Sequence, residues 1–129
     1  MKKILIEVSA GELLDKISIL EIKLNKIQNS ESLNLIKKEY QILITEKDKI
    51  VKDTKNIDSL YVQLKSINEK LWIIEDEKRL CEKNLNFKEK FIQLSRDVHF
   101  MNDERAQIKL QINKLVGSNI TEIKQYTKY

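Results

Sequence analysis

The chain has 129 residues, of which 41% are hydrophobic, 34% charged and 6% aromatic, with two glycines and no proline. This apolar content can form a core, which excludes a disordered chain, and the scarcity of Pro and Gly favours long helices. The net charge is +4, and the chain has no continuous basic block. Residues 1–58 hold 11 Lys/Arg and 10 Asp/Glu, and residues 59–129 hold 13 and 10. We therefore predict no specific nucleic-acid partner, because such proteins carry a basic stripe.

No stretch of the chain approaches the roughly 20 apolar residues that a membrane-spanning helix needs. The first residues resemble the start of a secretory leader, but Glu7 interrupts the apolar run well short of the length of such a leader. We therefore predict a cytoplasmic protein with no membrane span.

The first predicted element is a strand or extended arm at Ile4–Val8. Ser9 and Glu12 then have the spacing of a capping box, which predicts the start of a helix. From there apolar residues recur at alternating steps of four and three, and the helix is expected to end near residues 28–29. The stripe consists of Leu13, Ile17, Leu20, Leu24 and Ile27.

Three further helices with the same repeat follow. The polar stretch 53–58 is expected to be a turn before the third helix, and Asn84 and Asn86 flank the break before the fourth. Gly117 lies where a helix-ending glycine is expected. The third stripe runs from Leu60 to Leu85 and the fourth from Phe87 to Leu115.

This heptad-like repeat predicts an all-α fold. Short breaks make consecutive helices antiparallel neighbours, so we expect two long hairpins that form a four-helix bundle or a coiled-coil-like oligomer. Additional apolar residues beside the first two stripes favour a homodimer or a larger oligomer. The single predicted domain comprises an extended arm (1–8), a first hairpin (9–55), a second hairpin (57–117) and a C-terminal tail (118–129).

The third helix carries a second periodic stripe, which is polar and contains the only tryptophan. Antiparallel folding about Asn86 would bring this stripe beside charged residues of the fourth helix, with Asp76 facing Arg96 and Asn68 facing Glu104. Arginines bind phosphate or carboxylate bidentately, and carboxylates serve as general acids or bases. The candidate cluster contains Asn68, Trp72, Glu75, Asp76, Arg79, Arg96, Asp103, Glu104 and Arg105.

Three interpretations of this cluster remain open. The first is a solvated lattice of salt bridges, which contributes little stability because exposed ion pairs are weak. The second is an interface for a protein partner centred on Trp72, since Trp and Arg are common anchors. The third is a pocket for an anionic small molecule. Arg105 also interrupts an apolar stripe, as do Lys47 and Lys78, and a cation there either snorkels to water or lines a cavity.

Three segments together resemble an uncharacterised family of small helical proteins from bacteria and their phages. They are Val8–Lys23, Leu71–Asp76 with the nearby Arg79, and Asn102–Lys109. The resemblance implies an association, in some members, with glycosyltransferase or surface-polysaccharide functions, and it brings no established activity. It also implies that Glu12, Asp15 and Lys16 of the first helix belong to the candidate site.

These observations favour a non-catalytic interaction or scaffold protein, whose helical surfaces and Trp72 region bind a partner. The alternative function is binding or catalysis at the Arg/carboxylate cluster, on an anionic ligand such as a sugar nucleotide. Glu12 and Asp15 have a spacing that can serve a metal, but Glu12 already has a capping role. We therefore predict no metal and no cofactor.

Overall fold

The computed structural model describes residues 2–50 and 54–129. Its four helices are α1 (Ala10–Lys26), α2 (Ser30–Lys47), α3 (Thr54–Lys83) and α4 (Glu89–Val116). No strand occurs in the described parts of the chain, so the predicted all-α fold is confirmed. Within these parts, no helix has the length and apolar character that crossing a membrane requires.

Local sequence signals set the ends of the helices. The Ser9 hydroxyl caps α1 by accepting a hydrogen bond from the Glu12 amide at 3.2 Å, which is the N-cap bond that the spacing predicts. The Glu12 carboxylate, expected to have a capping role, instead accepts a hydrogen bond from Lys109. Asn29 caps α2, and α1 therefore ends at Lys26, slightly earlier than predicted. Gly117 ends α4 in the left-handed conformation, with φ of 70°.

The start of α3 differs from the sequence-based expectation. The predicted turn 53–58 begins at a residue outside the described residues, and α3 already begins at Thr54. Ile57 is buried in the core. Burial of this one apolar side chain favours helix through an otherwise polar stretch, because packing overrides weak local preferences.

The central helix is α1, which packs against each of the other three helices. The core joins its buried face to α3 and α4, while α2 contributes only partly buried side chains. The fully buried members of this core are Leu14, Ile17, Leu64 and Ile112.

Gly11 allows α1 to approach α4 closely. A Cβ at this position would lie 2.6 Å from the carbonyl oxygen of Lys109, so no larger residue fits without movement of the backbone. The Gly11 amide also donates a hydrogen bond to Asn113 Oδ1 at 2.7 Å. The close approach thereby ties the first turn of α1 to the last turns of α4.

The α3–α4 hairpin has two halves with different surroundings. We call residues 54–72 and 101–116 the proximal half, which α1 covers, and residues 73–83 and 89–100 the distal half. In the distal half Ile74, Cys81 and Leu94 form a separate, smaller apolar cluster, to which the described residues of α1 and α2 contribute nothing. The distal half is therefore a two-helix arm that extends from a three-helix core.

Candidate functional site

A buried amide, that of Asn68, lies at the centre of the polar residues in the proximal half. Its Nδ2 donates hydrogen bonds to Asp15 Oδ1 and to Ser18 Oγ, each at 2.7 Å. Its Oδ1 accepts a hydrogen bond from Arg105 at 3.0 Å. Because all of these polar groups are paired, the network orients its members instead of destabilising the core.

At one end of this network Lys109 is surrounded by carboxylates. Its Nζ donates to Glu12 Oε2 at 2.7 Å and lies 3.6 Å from both Asp15 Oδ2 and Glu122 Oε2. The hydrogen bond from Lys109 is the main reason that the pKa of Glu12 is lower than usual. Burial opposes the charge on Lys109, but the bond to Glu12 and the neighbouring negative charges raise its pKa.

At the other end Arg105 has only neutral partners. One nitrogen of its guanidinium donates to Asn68 Oδ1 and the other donates to Asn102 Oδ1 at 2.7 Å. No Asp or Glu of the described residues lies close enough to form an ion pair with it. The side chain is half-buried, and its positive charge adds to the effect of Lys109 in lowering the pKa of Glu12, although Arg105 and Glu12 form no ion pair.

Arg105 and Asn68 line a cavity of about 330 Å³ at the junction of the proximal and distal halves. We call it the Trp72 cavity. Its apolar wall combines Trp72 and Leu71 of α3 with two isoleucines of α1, and its polar residues lie mostly along α3. The full lining is Ile19, Ile22, Asn68, Leu71, Trp72, Glu75, Asp76, Arg79 and Arg105.

The polar residues of the Trp72 cavity differ in depth. Arg105 is half-buried, whereas Glu75, Asp76 and Arg79 are exposed at the rim. None of these four side chains forms an ion pair with another described residue. The cavity thus offers a cationic site beside Asn68, an indole ring, and charged groups of both signs at its mouth.

The structure brings together six members of the cluster predicted from the sequence and separates the other three from them. The six that share the Trp72 cavity are Asn68, Trp72, Glu75, Asp76, Arg79 and Arg105. Arg96 is exposed and does not line this cavity, because Leu94 and Val98 on either side of it face α3 and direct it away. Asn68 therefore contacts Arg105, not the expected Glu104, which is exposed.

Asp103 faces a different part of the molecule, the C-terminal tail. It accepts a hydrogen bond from the Tyr129 hydroxyl at 2.5 Å, and the Tyr129 ring packs edge-on against Phe100. A second cavity, of about 490 Å³, lies between α4 and this tail and is lined by Lys109 and Glu122 among others. Asp103 thus belongs to the attachment of the tail, separate from the Trp72 cavity.

The three residues of α1 that the resemblance adds do not line the Trp72 cavity. Glu12 and Asp15 contact Lys109, and Asp15 also fixes Asn68. Lys16 is exposed, with its Nζ 3.9 Å from Glu12 Oε1. Among the described residues no three His, Cys, Asp or Glu side chains are grouped as metal ligands.

Sequence reasoning missed four members of the polar network. Ser18 and Asn113 are buried, and Asn102 and Lys109 are partly buried. A signal was present on α4, where Asn102, Lys109 and Asn113 lie on one side of the helix at steps of seven and four. This polar side marks the surface onto which α1 packs.

The two other cations in apolar stripes lie against aromatic rings. Lys47 Nζ is 4.7 Å from the centroid of the Tyr61 ring, and Lys78 Nζ is 5.8 Å from that of Phe91.

The model of a family of unknown function, DUF6165, matches residues 3–129. The chain belongs to this family. No curated protein and no solved structure matches the chain. The DUF6165 match covers both the α1 residues of the polar network and the α3 residues of the Trp72 cavity, so both are parts of the same family domain.

Proposed function

We propose that this DUF6165 protein binds an anionic small molecule in the Trp72 cavity, with the anionic group held by Arg105. The observation that carries the proposal is the half-buried Arg105, whose hydrogen-bond partners among the described residues are the amides of Asn68 and Asn102. A buried charge that has left water is stabilised by an opposite charge. A bound anion would supply that charge.

Arg105 has donors available for such a ligand. A guanidinium carries five N–H groups, and the bonds to Asn68 and Asn102 use two of them. Both amides present their oxygens to Arg105 and hold its plane in one orientation. A guanidinium held in this way matches the geometry of a carboxylate or a phosphate.

The rest of the Trp72 cavity suggests the other parts of the ligand. The indole of Trp72 and the adjacent Ile19 and Ile22 favour a ring or another flat apolar face. Glu75 and Asp76 at the rim can accept hydrogen bonds from hydroxyl or ammonium groups. A cavity of about 330 Å³ lies at the small end of ligand sites. A phosphorylated or carboxylated ring compound that carries hydroxyl groups has this chemistry, and a sugar nucleotide is one member of that class.

The alternative of a salt-bridge lattice has less support. A lattice would join the acidic and basic side chains of α3 and α4, yet no ion pair connects these two helices within the described residues. The charges around Trp72 are instead left available beside a concave surface. This arrangement favours a ligand over a network of surface ion pairs.

The test is calorimetric titration and thermal unfolding of the full chain with inorganic phosphate, hexose phosphates, nucleoside diphosphates, sugar nucleotides and small dicarboxylates. A ligand that binds the native state raises the midpoint of unfolding by mass action. We expect at least one compound to do so, with the shift lost in Arg105→Gln and reduced in Arg79→Gln. The matched control is Arg96→Gln, which removes an exposed arginine of α4 outside the cavity and should leave the shift unchanged.

Two results would contradict the proposal. One is the absence of any shift across the whole set of compounds. The other is a shift that Arg96→Gln removes as completely as Arg105→Gln, because binding would then depend on general charge and not on the cavity.

We also propose that the chain associates with a second copy through its N-terminal arm. Three consecutive apolar side chains of this arm are 77–88% exposed, those of Ile4, Leu5 and Ile6. Exposed apolar surface of this kind is stabilised by burial against a partner. Light scattering at two concentrations should then report a dimer for the native chain and a monomer for the Ile4→Ser/Leu5→Ser/Ile6→Ser variant. A native chain that is monomeric at both concentrations would reject this second role.

A further inference from the structure

The turn between α3 and α4 forms the free end of the distal half. We call residues 78–92 the hairpin tip. It comprises the last turns of α3, the connection after Lys83 and the first turn of α4. It lies at the end of the hairpin away from the α1–α4 contact at Gly11 and Asn113.

The hairpin tip carries an excess of positive charge. Residues 78–92 contain five Lys/Arg and two Asp/Glu, a net charge of +3. A search for uninterrupted basic runs misses this concentration because Glu82 and Glu89 separate the cations. Lys83, Lys88 and Lys90 are exposed, and no described carboxylate pairs with them.

Large apolar side chains are exposed among these cations. Leu85 is 75% exposed, Ile92 55%, Leu80 53% and Phe87 48%. The Leu85 backbone has a φ of 54°, in the left-handed region where glycine is the usual residue after a helix. The turn therefore holds a leucine in an unfavourable backbone conformation and presents its side chain to the outside.

We propose that the hairpin tip docks on an anionic lipid surface, with Leu85 and Phe87 inserted among the acyl chains and the lysines against the head groups. Apolar side chains on a protruding turn gain from entering a bilayer interface, and adjacent cations gain from negative lipid. The association is peripheral, since the tip is a short turn between two helices. It does not depend on the Trp72 cavity.

The composition of the tip favours lipid over the other possible partners. Two copies meeting tip to tip would bring like charges together, which opposes association. A nucleic-acid backbone would neutralise the lysines but would leave Leu85 and Phe87 uncovered, since phosphate contacts come from cationic and polar groups. An anionic bilayer satisfies both features at once.

The test is co-sedimentation of the full chain with vesicles of phosphatidylcholine alone and of phosphatidylcholine mixed with phosphatidylglycerol. We expect binding to the anionic vesicles only, and its loss when salt rises from 0.1 M to 1 M and shortens the Debye length from about 10 Å to about 3 Å. Lys83→Gln/Lys88→Gln/Lys90→Gln should weaken binding on the order of a hundredfold, and Leu85→Ser/Phe87→Ser should weaken it at least about tenfold. Circular dichroism verifies that each variant is folded.

The matched control is Leu35→Ser/Ile42→Ser, which removes two comparably exposed apolar residues from α2 and should bind as the native chain does. Leu85→Gly provides an independent check, because it removes the side chain at a position whose backbone suits glycine, and we expect weaker vesicle binding without loss of fold. The proposal is rejected if the native chain stays in solution with anionic vesicles. It is also rejected if the tip variants sediment with anionic vesicles as the native chain does.

Discussion

The proximal and distal halves of the α3–α4 hairpin have the same heptad-like repeat and different physical environments. In the proximal half, α1 covers the two helices, side chains such as Leu64 and Ile112 are fully buried, and Asn68 joins Asp15 to Arg105 inside the bundle. In the distal half, the apolar cluster of Ile74, Cys81 and Leu94 is formed by α3 and α4 without the described residues of α1 and α2, and α1 reaches this half at the Trp72 cavity. The repeat therefore specifies the pairing of α3 with α4, and the position of α1 determines where polar side chains are buried.

The difference also separates two roles along one pair of helices. The Trp72 cavity lies where the cover provided by α1 ends, so that the half-buried Arg105 meets an opening to solvent. Beyond it the uncovered helices lead to the charged and apolar tip. The following predictions test how strongly the two halves differ, beginning with the largest expected effect.

Truncation of a leucine should be more costly in the proximal half than in the distal half. Leu64→Ala removes a fully buried side chain from the three-helix core and should lower the free energy of unfolding by about 4 kcal/mol. Leu94→Ala removes a nearly buried side chain from the smaller cluster and should cost about 2 kcal/mol, because the two-helix arm relaxes more easily. Urea unfolding measures both values, and equal losses would contradict the distinction between the halves.

A methyl group at the contact between α1 and α4 should push α1 away from α4 and destabilise the proximal half. Gly11→Ala would place a Cβ against the Lys109 carbonyl and 3.0 Å from Asn113 Oδ1, and overpacking of this kind costs about 2–3 kcal/mol. Gly117→Ala is the control, since no atom lies within 4 Å of its added Cβ and only its φ of 70° is unfavourable. It should cost about 1 kcal/mol, and thermal unfolding should rank the two variants in this order.

The carboxylate of Glu12 should make the proximal half sensitive to acid. Its pKa is lower in the folded protein than its ordinary value of 4.5, so its contribution is complete above that value and is lost as the pH falls through the lower folded-state pKa. Glu12 is partly exposed, which limits the contribution to less than about 1 kcal/mol. Urea unfolding between pH 6 and about pH 3 should show a smaller loss of stability in Glu12→Gln than in the native chain. A parallel loss in both would contradict this assignment.

The smallest effect is expected at the end of the distal half and has the opposite sign. Leu85→Gly should raise the free energy of unfolding by about 0.5–1 kcal/mol, because glycine adopts the observed φ of 54° without steric strain. The measurement is the urea midpoint, with Leu80→Gly, inside α3, as a control that should be destabilising. A lower midpoint for Leu85→Gly would show that its side chain is packed in solution.

The helical elements could be read from the sequence because their signals are local. The Ser9 cap, the apolar stripes and Gly117 each act within a few residues, and the structure has helices at these places, except that the stripe ends Ile27, Leu85 and Phe87 lie outside the helices. The antiparallel pairing of α3 and α4 was also predictable, since the short connection around Asn86 leaves few alternatives. Local preferences were insufficient at Thr54, where burial of Ile57 in the core extends the helix through a polar stretch.

The candidate site was only partly predictable because it depends on how α1 lies across the other helices. The stripe on α3 located Asn68, Trp72 and Arg79, but nothing local shows that Asp15 and Ser18 orient Asn68. Arg96 was grouped with them by its charge and by an approximate register, yet its own helix face directs it to solvent. Lys109 belongs to a polar row along α4, but its partners Glu12 and Asp15 come from α1 and give no local signal of the contact.

The hydrogen bonds of Asn68 connect the two hairpins chemically as well as by packing. Its partners Asp15 and Ser18 belong to the first hairpin, and Arg105 belongs to the second. If the hairpins were produced as separate polypeptides, neither fragment would contain an oriented Arg105 beside Ile19 and Ile22. Complementation of the two fragments would therefore report assembly of the ligand site itself. The buried hydrogen bonds of Asn68 would make the association of the two fragments specific.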